Sequence, residues 1–217
     1  MFNTNSRRDF SRQSSVNRYI QLLVIAGSVA LIAAAGWFGY QWYTRRVEQQ
    51  AYADLASMSE SYKKAVALQD AEKIKDSERA FATAAQKYKN SSLAPYFLSY
   101  QADVLVRQDK KAEALVVMDQ MISKINTQSP LYYYYVLKRA LMQLDAGSAE
   151  VQQVGRQELA RLAQDTTNPV RDMALYYNGL DAVHQGDTER AKANWTELTA
   201  KAKPDSYWRA LAQEQLQ

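Results

Sequence analysis

The sequence repeats itself with a period of about 35 to 40 residues, which points to stacked copies of one small unit. Its four prolines are spaced by 35, 39 and 35 residues, and an apolar or aromatic segment follows each one. They are Pro95, Pro130, Pro169 and Pro204. Proline is tolerated at the first position of a helix because its missing N–H would have no partner there. Ser129 and Asn168, directly before two prolines, are good N-cap residues. Each proline is therefore predicted to mark a helix start.

A second marker recurs in the partner helix of each predicted pair. Small residues recur at spacings of 34, 41 and 36, and large apolar residues follow four positions after three of them. The small residues are Ala80, Ala114, Gly155 and Ala191, and the large ones are Met118, Leu159 and Trp195. Turn signals separate the two helices of a pair. The predicted helices lie near 72–89, 93–107, 110–125, 130–145, 149–164, 169–185 and 187–202, with a terminal helix from about 205.

Two helices per unit and a period of 34 to 41 residues are typical of an α-solenoid. In such a fold each helix pair buries its apolar face only by stacking on its neighbours. Seven glycines and four prolines in 217 residues are too few for a turn-rich all-β fold. We therefore predict an all-α fold with a repeat domain over residues 44–217, closed by an amphipathic helix over 207–216.

An uncharged apolar stretch over residues 20–43 precedes the repeats. As a helix, 24 residues extend about 36 Å, which exceeds a hydrocarbon core of about 30 Å. Aromatic residues concentrate at its end, and Arg45 and Arg46 follow it. We predict one N-terminal transmembrane helix, on which small residues allow another helix to approach closely. The candidate packing residues are Gly27, Ala30 and Ala34.

The arginines before this stretch predict its orientation. Four arginines lie within residues 1–19, whereas two follow the span closely. The positive-inside rule then gives a disordered cytoplasmic tail over 1–19 and a repeat domain on the other side. In a bacterium this is the inner membrane with a periplasmic domain. A cleaved signal peptide is the alternative, because Ala33–Ala35 offers a cleavage site and Arg7-Arg8 resembles a twin-arginine export motif. The aromatic residues after that site argue against cleavage.

Charge and motif content exclude several functions. Of the net charge of +4, residues before Tyr19 contribute +3, so the folded part lacks the basic surface that nucleic acid requires. The chain has one histidine and no cysteine, and it contains no phosphate-binding loop, dinucleotide fingerprint or zinc-protease motif. His184 is expected at a helix C-terminus, without a catalytic role. We predict no enzyme activity, cofactor or metal.

Tyrosine is the unusual residue of the repeat domain. Tyr132–Tyr135 run consecutively and, at about 100° per residue, sweep about 300° of a helix. Some must pack in the core while others reach a groove or solvent. First helices of such repeats line the concave face, where tyrosine can contact a bound peptide. Core packing and partner contact both remain open for the candidate groove residues, which are Tyr96, Tyr100, Tyr133, Tyr134 and Tyr177.

These features resemble a known repeat family. His184-Gln185-Gly186-Asp187, followed by Ala191 and Trp195, resembles the inter-helix turn, small residue and aromatic of the tetratricopeptide repeat. Lys111-Ala112-Glu113-Ala114-Leu115 resembles a second copy, and the resemblance covers roughly residues 48–217. The Trp-Leu-Gly-Tyr pattern of a strong repeat is absent from the first helices, and the third unit has a longer turn. An N-terminal span before such repeats also resembles the YfgM-type ancillary subunits of the Sec translocon, although the long basic tail departs from them.

The resemblance implies a scaffold that binds other proteins, with an integral membrane complex as partner. Assistance to translocation and recruitment of periplasmic chaperones are the roles that it suggests. A structural subunit of a respiratory, photosynthetic or secretion complex is the nearest alternative. A membrane-anchored hydrolase is the alternative from another class, and it would need close Asp/Glu pairs facing a cavity.

Overall fold

The structure is a computed structural model that describes the backbone of residues 6–217 and the side chains of residues 31–217. Within these residues the secondary structure is helical. The helices are α1 Ser6–Ala67, α2 Ala71–Lys87, α3 Ala94–Arg107, α4 Lys111–Ile122, α5 Pro130–Leu144, α6 Ala149–Gln164, α7 Arg171–His184, α8 Thr188–Lys201 and α9 Tyr207–Gln215. The predicted ends of α2 to α8, and the start of α9, lie within three residues of these limits.

The chain divides into two compact units, residues 1–50 and residues 51–217. The second unit is the repeat domain, whose boundary the sequence placed at residue 44. The predicted tail over 1–19 lies outside the described side chains, as do Gly27 and Ala30. No helix of the described residues contains a stretch long and apolar enough to cross a membrane. The predicted span over residues 20–43 lies partly outside the residues to which this finding applies.

Residues 51–217 form a stack of helix pairs. The pairs are the end of α1 with α2, then α3 with α4, α5 with α6, and α7 with α8. Helix α9 packs against α7 and α8, as expected of a terminal cap. The predicted all-α repeat architecture is confirmed.

Three of the four turns between paired helices have the same backbone geometry. Gln69, Asp109 and Gly186 are left-handed, with φ of 52°, 60° and 76°. In each turn the next residue donates its N–H to a carbonyl five positions earlier, at 2.9 Å from Asp70 to Ala65 and likewise in the other two. This is the Schellman motif that ends a helix. The turn between α5 and α6 is one residue longer and lacks the left-handed residue.

Small residues bring paired helices together, as the sequence predicted for three of the four positions. Ala114, Gly155 and Ala191 are buried. A Cβ on Gly155 would lie 2.8 Å from the carbonyl oxygen of Ala140, so the glycine lets the backbones of α5 and α6 approach closely. The prediction for Ala80 is wrong. Ala80 is exposed, and the half-buried Ile74 occupies the equivalent position, four residues after the turn.

Each second helix buries a large side chain at a fixed spacing, seven residues after Ile74, Ala114, Gly155 or Ala191. These side chains are Phe81, Met121, Leu162 and Leu198, and all four are fully buried. One large side chain per helix pair gives every unit the same central contact. The core therefore continues from unit to unit along residues 51–217, as expected of a solenoid.

The predicted helix starts lie within two residues of the observed ones, and Pro95 and Pro130 lie in the first turn of α3 and α5. Pro169 and Pro204 instead precede the N-cap residues of α7 and α9, and one predicted cap is wrong. Ser129 caps α5 by accepting a hydrogen bond from the Leu131 N–H at 3.3 Å. Asn168 does not cap α7, whose N-cap residue is Val170. Its side chain is instead buried in the α6–α7 connection, where it accepts the Val170 N–H at 2.7 Å and donates to the Leu162 carbonyl at 2.5 Å. Asn168 therefore holds the connection itself.

Candidate binding groove

Tyr100 belongs to an aromatic cluster between the first two helix pairs. Its ring stacks on Phe81 with centroids 5.0 Å apart and planes 9° apart, and Tyr62 meets both rings edge-on. Burial raises the pKa of the Tyr62 hydroxyl. Tyr100, which is half-buried, therefore contributes to the packing between these helix pairs, and its removal would open a hole in this cluster.

The run of tyrosines on α5 is divided between core and solvent. Tyr135 is buried, and burial raises the pKa of its hydroxyl despite a hydrogen bond with Ser99. Tyr132 and Tyr133 are half-buried and contact each other edge-on. Tyr134 is 45% exposed. Of the four, Tyr134 offers the largest accessible surface to a partner.

Tyr177 takes part in the docking of α9. Its ring centroid lies 5.8 Å from that of Trp208, and Tyr176 lies 5.6 Å from the same indole. Tyr96, the remaining candidate, is half-buried on α3. The structure thus brings the five candidates onto three first helices without joining them in one cluster.

A cleft of about 570 Å³ lies between α5 and α7, with α6 at its floor. Its apolar lining consists of Leu141 and Leu144 of α5 and Leu180 of α7, all half-buried, together with Tyr177. Tyr134 lies seven residues before Leu141, on the same face of α5. Val183, 47% exposed, lies three residues after Leu180 on α7. Tyr134 and Val183 lie outside the lining of the cleft itself, and we call the faces of α5 and α7 that carry these residues and the cleft leucines the first-helix groove.

The sequence did not single out the three leucines. Helical spacing alone gave no reason to prefer them to the leucines that are fully buried. The longer turn between α5 and α6 was a sequence signal for the cleft, because its extra residue changes how α5 ends next to α7. Reading that turn as a local departure from the repeat would have directed attention to the end of α5.

Each carboxylate in the lining of the cleft has a cationic partner. Asp181 is buried, with Arg156 Nε at 3.4 Å and a guanidinium nitrogen of Arg190 at 3.8 Å. The side-chain amide of Gln185 also donates to it. A buried carboxylate is tolerated when it is paired in this way. Asp181 is therefore compensated, and the other carboxylate of the lining, Asp145, is paired with Lys111 at 2.8 Å.

Among the described side chains, no three His, Cys, Asp or Glu residues come together as a metal site. His184 is exposed at the last position of α7, as the sequence predicted.

In the first unit, large side chains surround α1. Five aromatic residues between positions 37 and 43 are 62 to 71% exposed. They are Trp37, Phe38, Tyr40, Trp42 and Tyr43. At about 100° per residue these side chains leave the helix in every direction. The Arg46 guanidinium lies 4.8 Å above the Trp42 ring, and Ala34, the described candidate for helix packing, is exposed.

The repeat domain has a tetratricopeptide-repeat-like fold. A crystal structure of a tetratricopeptide repeat protein from Parabacteroides merdae is similar to this chain, with a TM-score of 0.50 and 20% sequence identity. The similarity covers 73% of this chain and 58% of that protein, so the chain spans less than two thirds of its length. No family model matches the sequence, and no curated protein is similar to it.

Proposed function

We propose that this chain is a protein-binding scaffold, tethered to a membrane by α1, that holds partner proteins in the groove of its first helices. The cleft between α5 and α7 carries this proposal. It presents three half-buried leucines to solvent, while its one buried carboxylate is already paired. Such a site suits an apolar side chain of a partner segment better than it suits a charged or reacting ligand.

The arrangement of aromatic residues on α1 supports the tether. A helix that docks into a protein groove needs one apolar face, whereas these five side chains project on all sides. Tryptophan and tyrosine on every side of a helix suit the headgroup zone of a bilayer, and Arg45 and Arg46 follow at once. A tether raises the effective concentration of the groove for neighbouring membrane proteins.

The location that we propose is a bacterial inner membrane, with the N-terminus in the cytoplasm and the repeat domain in the periplasm. Support comes from the arginine bias around residues 20–43. The resemblance stated above makes an accessory role beside a membrane complex, such as the Sec translocon or periplasmic chaperones, the first one to test. A structural subunit of another membrane assembly would use the same groove and tether.

Alkaline carbonate extraction of membranes that contain the full-length chain tests the tether. Extraction strips peripheral proteins but leaves embedded ones, so we expect the chain in the membrane pellet. A full-length chain released into the supernatant would contradict the tether and leave the groove untouched as a proposal.

Substitution of cleft leucines tests the groove. Leu144→Gln with Leu180→Gln removes two apolar contacts, each worth about 1.5 kcal/mol or more, so the affinity for a co-purified partner should fall at least about tenfold. Val116→Gln with Val154→Gln is the matched control on second helices, since both valines are at least half exposed. Circular dichroism checks that both variants fold. Equal affinity of the leucine variant and the control would exclude the cleft.

A further inference from the structure

The connection between α4 and α5 differs from the other connections between helix pairs. None of its residues, 123–129, is buried. The other three connections each bury at least one residue: Ser91 between α2 and α3, Asn168 between α6 and α7, and Ala202 between α8 and α9. The α4–α5 connection is also the longest of the four. It therefore restrains its two helices least.

The helices at this junction also contact each other over a shorter length. Helices α4 and α5 lie side by side along less of their length than α2 and α3, or α6 and α7. The α6–α7 connection is fixed by the buried amide of Asn168. Within 123–129, by contrast, the Asn126 side chain accepts a local, exposed hydrogen bond from the Gln128 N–H, and its backbone carbonyl accepts the Ser129 N–H. No buried side chain within residues 123–129 ties the two helices together.

More ion pairs join neighbouring helix pairs at this junction than at the other junctions of the described residues. Three of them join the pair α3–α4 to helix α5 or to Asp145, the residue that follows α5. They are Lys138–Asp103 at 2.5 Å, Arg139–Asp119 at 2.7 Å and Lys111–Asp145 at 2.8 Å. In each pair the carboxylate side chain is at least 40% exposed. Exposed ion pairs are weak and are screened by salt.

We propose that the α4–α5 junction is a hinge, held closed by these three ion pairs. Lys138–Asp103 joins the first helices α3 and α5 directly, so opening of the hinge separates these two helices and leaves the α5–α7 cleft on one side of the hinge. A partner or a change in ionic strength that competes for these charges then sets the spacing of α3 from α5. This regulatory meaning rests on the proposed function, whereas the hinge motion itself is measurable without any partner.

Spin-label distances across the junction test the proposal. The chain contains no cysteine, so Thr83→Cys in α2 and Thr196→Cys in α8 introduce two defined labels at exposed sites. Gln153→Cys with Thr196→Cys is the control pair, with both sites after the junction. Distances are measured by double electron–electron resonance on the full-length chain in non-ionic detergent. The screening length falls from about 30 Å in 0.01 M salt to about 3 Å in 1 M salt.

We expect the distances between α2 and α8 to shift or broaden by several ångströms in high salt, while the control pair stays unchanged. Lys111→Gln, Lys138→Gln and Arg139→Gln together should give the high-salt distribution already in low salt. The matched variant Lys64→Gln, Arg161→Gln and Lys192→Gln removes three charges paired within single helices, and it should behave as the wild type. An unchanged distribution across the junction, or an equal change in the control pair, would overturn the hinge.

Discussion

The left-handed conformation of the turn residues is strained when the residue is not glycine. Gln69 and Asp109 adopt positive φ, at which a residue other than glycine costs about 1 to 2 kcal/mol. Glycine avoids that cost but loses about 0.5 to 1 kcal/mol in chain entropy. Gln69→Gly should therefore stabilise the protein by about 0.5 to 1 kcal/mol, and Asp109→Gly by less, because aspartate tolerates this region better.

Gly186→Ala is the opposite test in the turn between α7 and α8, and it should destabilise the protein by about 1 kcal/mol. Urea denaturation of the three variants gives the signs. Destabilisation by Gln69→Gly would mean that the left-handed turn is not a source of strain.

Asp54 makes stability depend on pH at the acid end. A hydrogen bond from the Tyr88 hydroxyl at 2.6 Å, and then one from Lys87, hold the pKa of Asp54 below its ordinary value. A carboxyl with a lowered pKa stabilises the fold above its unfolded pKa of about 4, and this contribution is lost as the pH falls through the folded pKa.

Tyr88→Phe should raise the pKa of Asp54, as followed by NMR titration, because it removes the stronger of these two hydrogen bonds. The difference in melting temperature from the wild type should be largest above pH about 4 and should narrow below it. Lys87→Gln serves as the comparison with a smaller pKa change. An unchanged Asp54 pKa in Tyr88→Phe would refute the assignment of the hydroxyl.

At the scale of helices, two glycines set how closely neighbours approach. A Cβ on Gly155 would meet backbone atoms of α5, the Ala140 oxygen at 2.8 Å and the Leu144 nitrogen at 3.1 Å. A Cβ on Gly179 would instead meet the indole of Trp195, the closest atom being only 2.3 Å away. Either alanine overpacks the interface and should destabilise by about 1 to 3 kcal/mol.

A second substitution should relieve the destabilisation caused by Gly179→Ala but not that caused by Gly155→Ala. Trp195→Leu removes the indole atoms, so Gly179→Ala should cost much less in that background than in the wild type. Gly155→Ala should not be rescued by Gln143→Ala, because backbone atoms still obstruct the new methyl group. Denaturant midpoints of the two double-mutant cycles report the couplings. Equal costs of Gly179→Ala with and without Trp195 would contradict the assigned contact.

The helices were predictable from sequence because their signals are local. Pro130 after Ser129 sets a helix start, and the Gln185-Gly186-Asp187 turn sets a helix end through one backbone hydrogen bond. Asn168 precedes Pro169 just as Ser129 precedes Pro130, yet its amide is recruited by a buried carbonyl of α6. Ala80 was misassigned because α2 uses the larger Ile74 where the other second helices use a small residue. Only the neighbouring residues in the folded structure distinguish Asn168 from Ser129, or Ala80 from the buried small residues.

For the whole molecule, the sequence directed attention to the first helices but not to the cleft between α5 and α7. The distribution of tyrosines drew attention to Tyr100 and Tyr177, which the fold uses to hold neighbouring helices together. Leu141, Leu144 and Leu180 become a surface only because α5 and α7 leave a cleft between them. Distances between helices of different repeats determine that cleft, and no short stretch of sequence encodes them.

The proposed function assigns different partners to two surfaces of the molecule. In that proposal the aromatic residues of α1 contact a bilayer interface, and the first-helix groove binds apolar segments of proteins beside that bilayer. Partner recruitment by the proposed scaffold depends on proximity and on the shape of the groove. Any partner should contact the first helices and leave the exposed valines of the second helices free.

Site-specific photocross-linking in intact cells tests this claim most directly. A benzoylphenylalanine at Tyr134 or Val183 lies on the groove, whereas one at Val116 or Val154 lies on a second helix, and all four sites are at least 45% exposed. We predict discrete adducts with one membrane-associated protein from the two groove sites and none from the two valines of α4 and α6. Adducts of equal yield from all four sites, or none from the groove sites, would contradict the account.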